Sequence, residues 1–495
     1  MKLIKLLRFC AYLVCFATIA APATVDSTKA LEGFDASVIR AMRDLQAPGV
    51  AVGAIVDGRV ILAKGYGVRE LGQSATVTPD TIFAVGSMTK SFTAVTVAAM
   101  VDEGKLNWDR PVREYLPWFR MYDPVATELI TPRDLLTHRS GMPGHNFIRF
   151  STPLDRAELV RRIRYLEPSH TFREVYQYNN LMYVTAGFLA GEVAGKSWED
   201  LVEQRIFTPL GMTSSTVRVA DTQKRKDFAK PHLSRNGAVT STEFYDYQKF
   251  GVGPNGAVNS TVNDLLKYLQ FHLDNGNANG RQLISTTQMQ QLHRPVTVTA
   301  SGDGDYALGW TAQHHRGHAV LQHGGAITGF TSMMVLIPET KTGVVVLNNL
   351  GSSLPTVVAW DLADRLLGLE PENYLAEAKL RLERSRTVAE EKRKQTQALR
   401  IPGAKPSLRL AAYAGEYSHP AYGTIRVDQN ETGLAVRFAA LNIPLTHYNY
   451  DTFECQSEYV DGMAQFHLNP QGHVSEMLLP LEPAVKPLVF LKLKR

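Results

Sequence analysis

The chain has 495 residues, of which 44% are apolar, 9% aromatic and 20% charged, with 37 Gly and 25 Pro. This balance excludes a disordered chain, a collagen-like chain and a coiled coil, and the length suffices for a large domain plus a smaller one. The 53 basic residues barely outnumber the 48 acidic ones, and no basic block is dense enough to follow a phosphate backbone, so nucleic acid is not an expected partner.

Met1–Arg8 is short and basic, Phe9–Ala21 is apolar and uncharged, and Ala21-Pro22-Ala23 fits a small-x-small cleavage site. This layout predicts a secretory signal peptide over residues 1–23, and with it a periplasmic or extracellular protein. The thirteen residues of Phe9–Ala21 span only about 20 Å as a helix, short of a hydrocarbon core of about 30 Å. No later run of 18 apolar residues occurs, so no stable membrane span is expected. Loss of Lys2, Lys5 and Arg8 takes the formal net charge from +5 to 5 − 3 = +2. Cys10 and Cys15 leave with the same segment, so Cys455 has no intramolecular partner and reads as a small buried hydrophobe.

Gly49–Val56 and Val60–Tyr66 are strand-like runs joined by Asp57-Gly58, a two-residue hairpin signal. Ser87–Val101 is apolar on every face and predicts a helix buried inside a domain, stopping at Gly104. The chain from about 110 to 290 reads as mostly helical with long loops. Within it, Thr131-Pro132-Arg133-Asp134 starts one helix, which Gly141 is expected to end, and Thr261-Val262-Asn263-Asp264 starts another. Strands return at Ala319–Gln322, Thr331–Ile337 and Val344–Asn348, followed by a helix over Val357–Leu367. Strands at both ends with helices between them predict one α+β domain over residues 30–370, its antiparallel sheet closed by the two ends and flanked by helices. Residues 371–408 are charged and helix-forming, with a breaker-rich end at Pro402-Gly403, and read as a linker. Residues 409–495 carry about eight short strand-like runs between turns, the spacing of a small β-barrel or sandwich.

Three short elements could carry chemistry. Ser87-Met88-Thr89-Lys90 opens the buried helix, and a separation of three places the Ser87 hydroxyl and the Lys90 amine on one face. A lysine walled in by apolar groups loses its charge readily and can take the serine proton. Tyr178-Asn179-Asn180 is the only Y-x-N in the chain; a phenol near an ammonium can be held as phenolate and relay protons. His323-Gly324-Gly325-Ala326 follows a strand-like run, and glycine on a sheet edge admits a substrate backbone.

In this order, the three elements resemble the signatures of the serine β-lactamase and penicillin-binding protein family, most closely its class C branch with D-aminopeptidases and carboxylesterases. Leu135-Leu136-Thr137-His138-Arg139-Ser140-Gly141, Pro209-Leu210-Gly211-Met212 and Leu308-Gly309-Trp310 extend the resemblance, which covers roughly residues 35–365. The segment from Tyr413 is similar to the small lipocalin-like barrel that many members carry. The resemblance implies a β-lactamase/transpeptidase-like fold and an acyl-enzyme on Ser87, with general-base and general-acid work shared by Lys90 and Tyr178. It implies that Asn180 orients substrate and Lys90, that the backbone N–H groups of Ser87 and Ala326 form the oxyanion hole, and that His323 and Gly325 line the substrate site. No metal or other cofactor is implied. The third motif is often Lys-Thr-Gly; His-Gly-Gly in its place weakens carboxylate binding and leans toward a peptidase, amidase or esterase acting on a small molecule or short peptide. A receptor that is acylated and turns over slowly is the alternative reading, and the oligomeric state is left open.

Rival motifs are weaker. No G-x-S-x-G occurs, and Gly195-Lys196-Ser197 lacks the spacing and preceding strand of a phosphate loop. His314, His315, His318 and His323 would alternate faces along strands and lack a partnered carboxylate pattern, so a metal site is not expected. His138 reads as a structural residue at a helix end.

Overall fold

Strands from both ends of the larger domain build one antiparallel sheet of seven. The computed structural model describes residues 27–494, apart from 151–153, 236, 248–250, 300–301, 303, 432, 440 and 458–459. The expected export segment, with Cys10 and Cys15, lies outside the described residues.

Helix α1 (Phe34–Asp44) leads into the hairpin of β1 (Gly49–Val56) and β2 (Arg59–Gly67). Asp57 and Gly58 take positive φ, 45° and 77°, as a primed two-residue turn requires. A helical region follows, with α2 (Thr89–Asp102), α3 (Asn180–Ala194) and α4 (Val262–Leu273) at its centre. The chain then returns to the sheet through β3 (Asp305–Tyr306), β4 (Thr311–His315), β5 (His318–Ile327), β6 (Phe330–Ile337) and β7 (Thr342–Asn348), and leaves through α5 (Leu354–Leu366). The order across the sheet is β2-β1-β7-β6-β5-β4-β3. As expected, the two ends close it: β1 pairs with β7 from Val50 opposite Asn348 to Val56 opposite Thr342.

Alternation explains the layers. In β1, Val50, Val52 and Ala54 face α1 and α5, whereas Ala51 and Ile55 face the helical region; in β7, Val344 and Val346 divide from Val345 and Leu347 in the same way. A strand with helices on both sides needs no polar face, and β1 is buried at every residue. Helix α2 is buried from Thr89 through Met100, which is why its sequence has no polar stripe. One expectation fails locally. The helix capped by Thr131 and Asp134 ends at Leu136, and the left-handed residue beyond it is His138 (φ 56°), with Gly141 further along the loop. A buried acceptor role for the His138 ring, described below, outweighs the usual preference for glycine there.

Beyond α5, helix α6 (Tyr374–Ala398) has no buried residue, in keeping with its charged sequence. The C-terminal strands β8 (Gly415–His419), β9 (Gly423–Asn430), β10 (Gly433–Phe438), β11 (Leu441–Asn449), β12 (Thr452–Gln456), β13 (Asp461–Leu468), β14 (Val474–Leu479) and β15 (Leu488–Lys492) form a closed barrel. Every second residue points inward, and Tyr417, Ile425, Val436, Phe453, Phe466 and Phe490 fill the interior. Cys455 is buried there as a free thiol, and burial pushes it up to about 12. Among the described residues no helix is long and apolar enough to cross a membrane.

Candidate active site

Ser87 lies in a single 3₁₀ turn, Gly86–Met88, that runs directly into α2, so the helix presents Lys90 beneath the serine. Lys90 Nζ is 3.0 Å from Ser87 Oγ, 2.7 Å from Asn180 Oδ1 and 3.0 Å from the Asn255 carbonyl oxygen. Complete burial with no carboxylate partner drives the amine well below its ordinary value of 10.5. A neutral amine has two N–H bonds and one lone pair. Asn180 Oδ1 and the Asn255 carbonyl can only accept, so they take both N–H bonds, and the lone pair is left for the Ser87 hydroxyl.

Tyr178 donates its hydroxyl to Ser87 Oγ at 2.8 Å. The residue is half-buried, but its hydroxyl end sits inside the cluster, where burial raises the phenol above its ordinary value while the Ser87 contact opposes this. Burial disfavours both the phenolate and the ammonium, so it works against a phenolate held by an ammonium. With the amine neutral, Ser87 Oγ accepts from Tyr178 and can donate to the Lys90 lone pair, which would run the hydrogens in one direction through three side chains.

The Tyr178–Asn180 segment is pinned from behind. Asn179 donates its backbone N–H to His138 Nδ1 at 3.0 Å and its side-chain amide to the carbonyls of Met142 and Pro143, while its Oδ1 caps α3 at Met182. The His138 ring lies 4.3 Å from the Tyr178 ring and 4.5 Å from that of Tyr306. Asp134, fully buried, accepts from Arg139 at 2.6 Å and Arg173 at 2.7 Å, tying the two loops that precede the tyrosine. Asn180 donates its Nδ2 to Asn146 Oδ1 at 2.6 Å, which turns its oxygen toward Lys90.

The third element lies on β5. Pairing with β4 ends at Gln322, so residues 323–327 are bonded only to β6 and form a local sheet edge. His323 is buried, with Nδ1 donating to the Gly324 carbonyl at 2.6 Å and Nε2 accepting from the Tyr306 hydroxyl at 3.0 Å. Burial lowers it to about 3, so the ring is neutral, not partly charged as its type suggests, and offers no cation to a substrate. The two glycines have different jobs. A Cβ on Gly325 would lie 1.9 Å from the Val85 carbonyl, so Gly325 is packed against the chain leading to Ser87 and does not face a substrate as expected. The exposed glycine is Gly324, where a Cβ would meet nothing nearer than 3.7 Å and which lines the cleft. Gly86 adopts φ 52°, and a Cβ there would be 2.8 Å from Ala326 N, so the serine turn and the Ala326 backbone are in direct contact.

All seven expected site residues thus converge on one region, from three separate parts of the chain. A cavity of about 710 Å³ opens beside Tyr178, His323 and Gly324 and extends between β4, α5 and the start of α6, past Met333, Trp360, Tyr374 and Arg381. The clustered histidines separate: His315 Nε2 bonds Asp364 at 2.6 Å at the far wall of this cavity, His318 meets Glu339, and His323 bonds Tyr306. Among the described residues no group of three His, Cys, Asp or Glu side chains is arranged to hold a metal ion. Gly86, Asn146, Asn255 and Tyr306 support the site without a sequence signal of their own, whereas Asn179 is the middle of the Y-x-N triplet and His138, read as structural, belongs to the Leu135–Gly141 motif.

The Beta-lactamase family model matches residues 34–369, and the Domain of unknown function (DUF3471) matches 399–492. The chain is 30% identical over 483 residues to the unguisins hydrolase of Aspergillus campestris, covering 93% of this chain and 88% of that protein. It is 26% identical over 308 residues to protein flp of Staphylococcus aureus, covering 62% of this chain and 60% of the other. Among solved structures, the octameric penicillin-binding protein homologue from Pyrococcus abyssi superposes with a TM-score of 0.64 at 24% identity, over 93% of this chain and all (100%) of that one. A class C β-lactamase gives 0.59 at 20% identity, over 69% and 98% of the two chains. Since the family model spans more than half of the residues and contains the whole Ser87 cluster, the chain belongs to the Beta-lactamase family.

Proposed function

We propose that the chain is an exported serine hydrolase that cleaves a small ester, amide or peptide through an acyl-enzyme on Ser87. The observation that carries this reading is the continuous hydrogen-bond path that joins the Tyr178 hydroxyl, Ser87 Oγ and Lys90 Nζ, at 2.8 and 3.0 Å. In this reading Ser87 Oγ attacks the carbonyl carbon while its proton passes to Lys90. The oxyanion is met by the N–H groups of Ser87 and Ala326. Tyr178 gives its proton to the leaving oxygen or nitrogen and regains one from the Lys90 ammonium. Water then attacks the acyl carbon, its proton follows the same groups back, and Ser87 is released with the free acid.

Two features support a neutral carbonyl substrate over one held by a carboxylate. His323 is neutral with both ring nitrogens occupied, and five large aromatic side chains line the cavity: Tyr176, Tyr178, Tyr306, Trp360 and Tyr374. The relative named as an unguisins hydrolase supports hydrolysis as the reaction type. Export rests on the N-terminal pattern. The test is mass spectrometry after exposure to a fluorophosphonate, alongside turnover of nitrocefin, p-nitrophenyl acetate and butyrate, and D- and L-alanine p-nitroanilide. Rapid labelling of Ser87 with turnover of an ester or anilide is expected. A long-lived adduct without product would mark a slow receptor instead, and a Ser87→Ala variant of normal activity would refute the assignment.

A further inference from the structure

The loop 480–487 between β14 and β15 belongs to the barrel, yet it reaches the larger domain beside the active site. Glu482 accepts from Asn146 Nδ2 at 3.1 Å and from the Phe147 backbone N–H at 2.9 Å. Next to these, His145 Nδ1 meets the buried Tyr422 hydroxyl at 3.0 Å, and Arg162 donates to the Ala421 carbonyl at 3.3 Å. The barrel therefore grips the segment 144–147, and that segment carries the amide that holds Asn180.

We propose that Glu482 is a positioning residue for the catalytic centre: from the barrel it sets the orientation of two amides in series, Asn146 and Asn180, and through them the proton-accepting state of Lys90. This rests on the acyl-enzyme reading above. Donors and acceptors along this path can pair in only one order. An amide has one end that donates and one that accepts, and the two ends are nearly the same size, so its orientation is set only by what it faces. A carboxylate only accepts. Facing Glu482, Asn146 must present Nδ2, which leaves Oδ1 for Asn180 at 2.6 Å. Asn180 must then present Nδ2 to Asn146, which leaves its Oδ1 for a Lys90 N–H at 2.7 Å. Reversing either amide would set Asn180 N–H against Lys90. The lone pair of the amine would turn toward Asn180, an N–H would turn toward Ser87, and the serine proton would have no acceptor. One carboxylate on a separate domain thus defines the polarity of the whole chain.

The test uses the full-length protein with Glu482→Ala, Glu482→Gln, Asn146→Asp and the double variant that combines Asn146→Asp with Glu482→Gln. Asn146→Asp sets two carboxylates against each other and removes the Nδ2 that donates to Glu482. In the double variant the carboxylate introduced at position 146 accepts from Asn180 and from the amide introduced at position 482. The oxygen of that amide still accepts from Phe147, so the original polarity is kept with the same total charge. Labelling of Ser87 by a fluorophosphonate and kcat and KM for a p-nitrophenyl ester are read together with thermal melting, which needs no turnover. Glu482→Ala, which leaves the Asn146 amide free to reverse, is expected to slow labelling and kcat by about 10- to 100-fold, as loss of an outer partner does, with KM moving much less, whereas the carboxylate of Asn146→Asp can only accept from Asn180 and keeps the polarity even as repulsion from Glu482 lowers the melting temperature. The double variant is expected to recover that melting temperature and to label near the wild-type rate. A double variant that regains melting temperature but not labelling makes Glu482 a docking residue only and overturns the proposal, as does a Glu482→Ala protein that labels at the wild-type rate. Wild-type protein with no Ser87 adduct at all overturns the acyl-enzyme reading and this one with it.

Discussion

Gly325 and Val85 are in contact so close that no side chain fits between them: a Cβ on Gly325 would stand 1.9 Å from the Val85 carbonyl oxygen, which already accepts from Ser332 Oγ at 2.8 Å. This contact fixes the distance between the strand that carries Ala326 and the turn that carries Ser87. Gly325→Ala has to push the two apart, and overpacking of a tight contact costs about 1–3 kcal/mol. We expect a lower melting temperature and, because an oxyanion donor is displaced, a fall in kcat of about 10²–10³. Gly324→Ala, whose Cβ would make only ordinary contacts at 3.7 and 3.8 Å, is the control and should melt like the wild type. Equal behaviour of the two variants in melting and turnover would contradict the packing role.

Lys90 links activity to stability with opposite signs. Its burial holds the folded-state amine well below 10.5, whereas the unfolded chain binds a proton up to about that pH. Between those two values the unfolded state carries the extra proton, so stability rises with pH, by up to about 1.4 kcal/mol per unit from this group. Lys90→Met removes the titration and keeps the bulk. We expect turnover to fall by about 10²–10⁴ with the base gone. We also expect the variant to melt higher than wild type at pH 7, with the gap closing toward 10.5. Chemical denaturation of both proteins between pH 6 and about 10 checks it. A Met variant that is less stable at every pH would mean that the Lys90 hydrogen bonds outweigh its desolvation.

What the sequence made readable was local. The hairpin at Asp57-Gly58, the capping box of Thr131 and Asp134, and the serine and lysine one helical turn apart all depend on neighbours within a few residues. The barrel was legible through its alternation and turns. What stayed hidden depends on partners far along the chain: His138 and Asn179 are 41 residues apart, Asn146 and Glu482 are 336 apart. The charge state of His323 belongs to the same group, because it follows from burial against Tyr306 and not from the motif. The misplaced helix end has this cause too. A glycine looked like the natural stop, but His138 takes the left-handed position because its ring is needed beneath Tyr178.

His138 is therefore a positioning residue. Its Nδ1 accepts the Asn179 N–H, and its ring supports Tyr178. His138→Ala leaves that N–H buried without a partner and opens space beneath the phenol, a combined cost of about 2–4 kcal/mol. We expect kcat to fall more than KM rises, since Tyr178 shifts relative to Ser87 while the cavity wall remains. Melting curves together with steady-state kinetics on an ester test this. A variant that loses stability but keeps the wild-type kcat would reduce His138 to a core residue.

Acid should unfold the protein through histidines buried in the neutral form. Burial lowers His145 and His293 from 6.5 to about 4, and His323 to about 3. His293 Nε2 sits 2.9 Å from His272 Nδ1, an arrangement that tolerates one shared hydrogen but not a second charge. The sign follows from where the protons bind. Below 6.5 the unfolded chain protonates these rings and the folded protein does not, so stability is lost as pH falls toward the folded-state values. Each ring contributes a slope of up to about 1.4 kcal/mol per pH unit. His145→Gln keeps a polar partner for Tyr422 without a titrating group, and it should unfold with about one proton fewer taken up between pH 6 and 5. Urea denaturation across this range measures the slope. A wild-type stability that stays flat from pH 6.5 down to about 4.5 would mean that these rings are already charged in the folded state, and the neutral His323 beside the catalytic cluster would have to be abandoned with them.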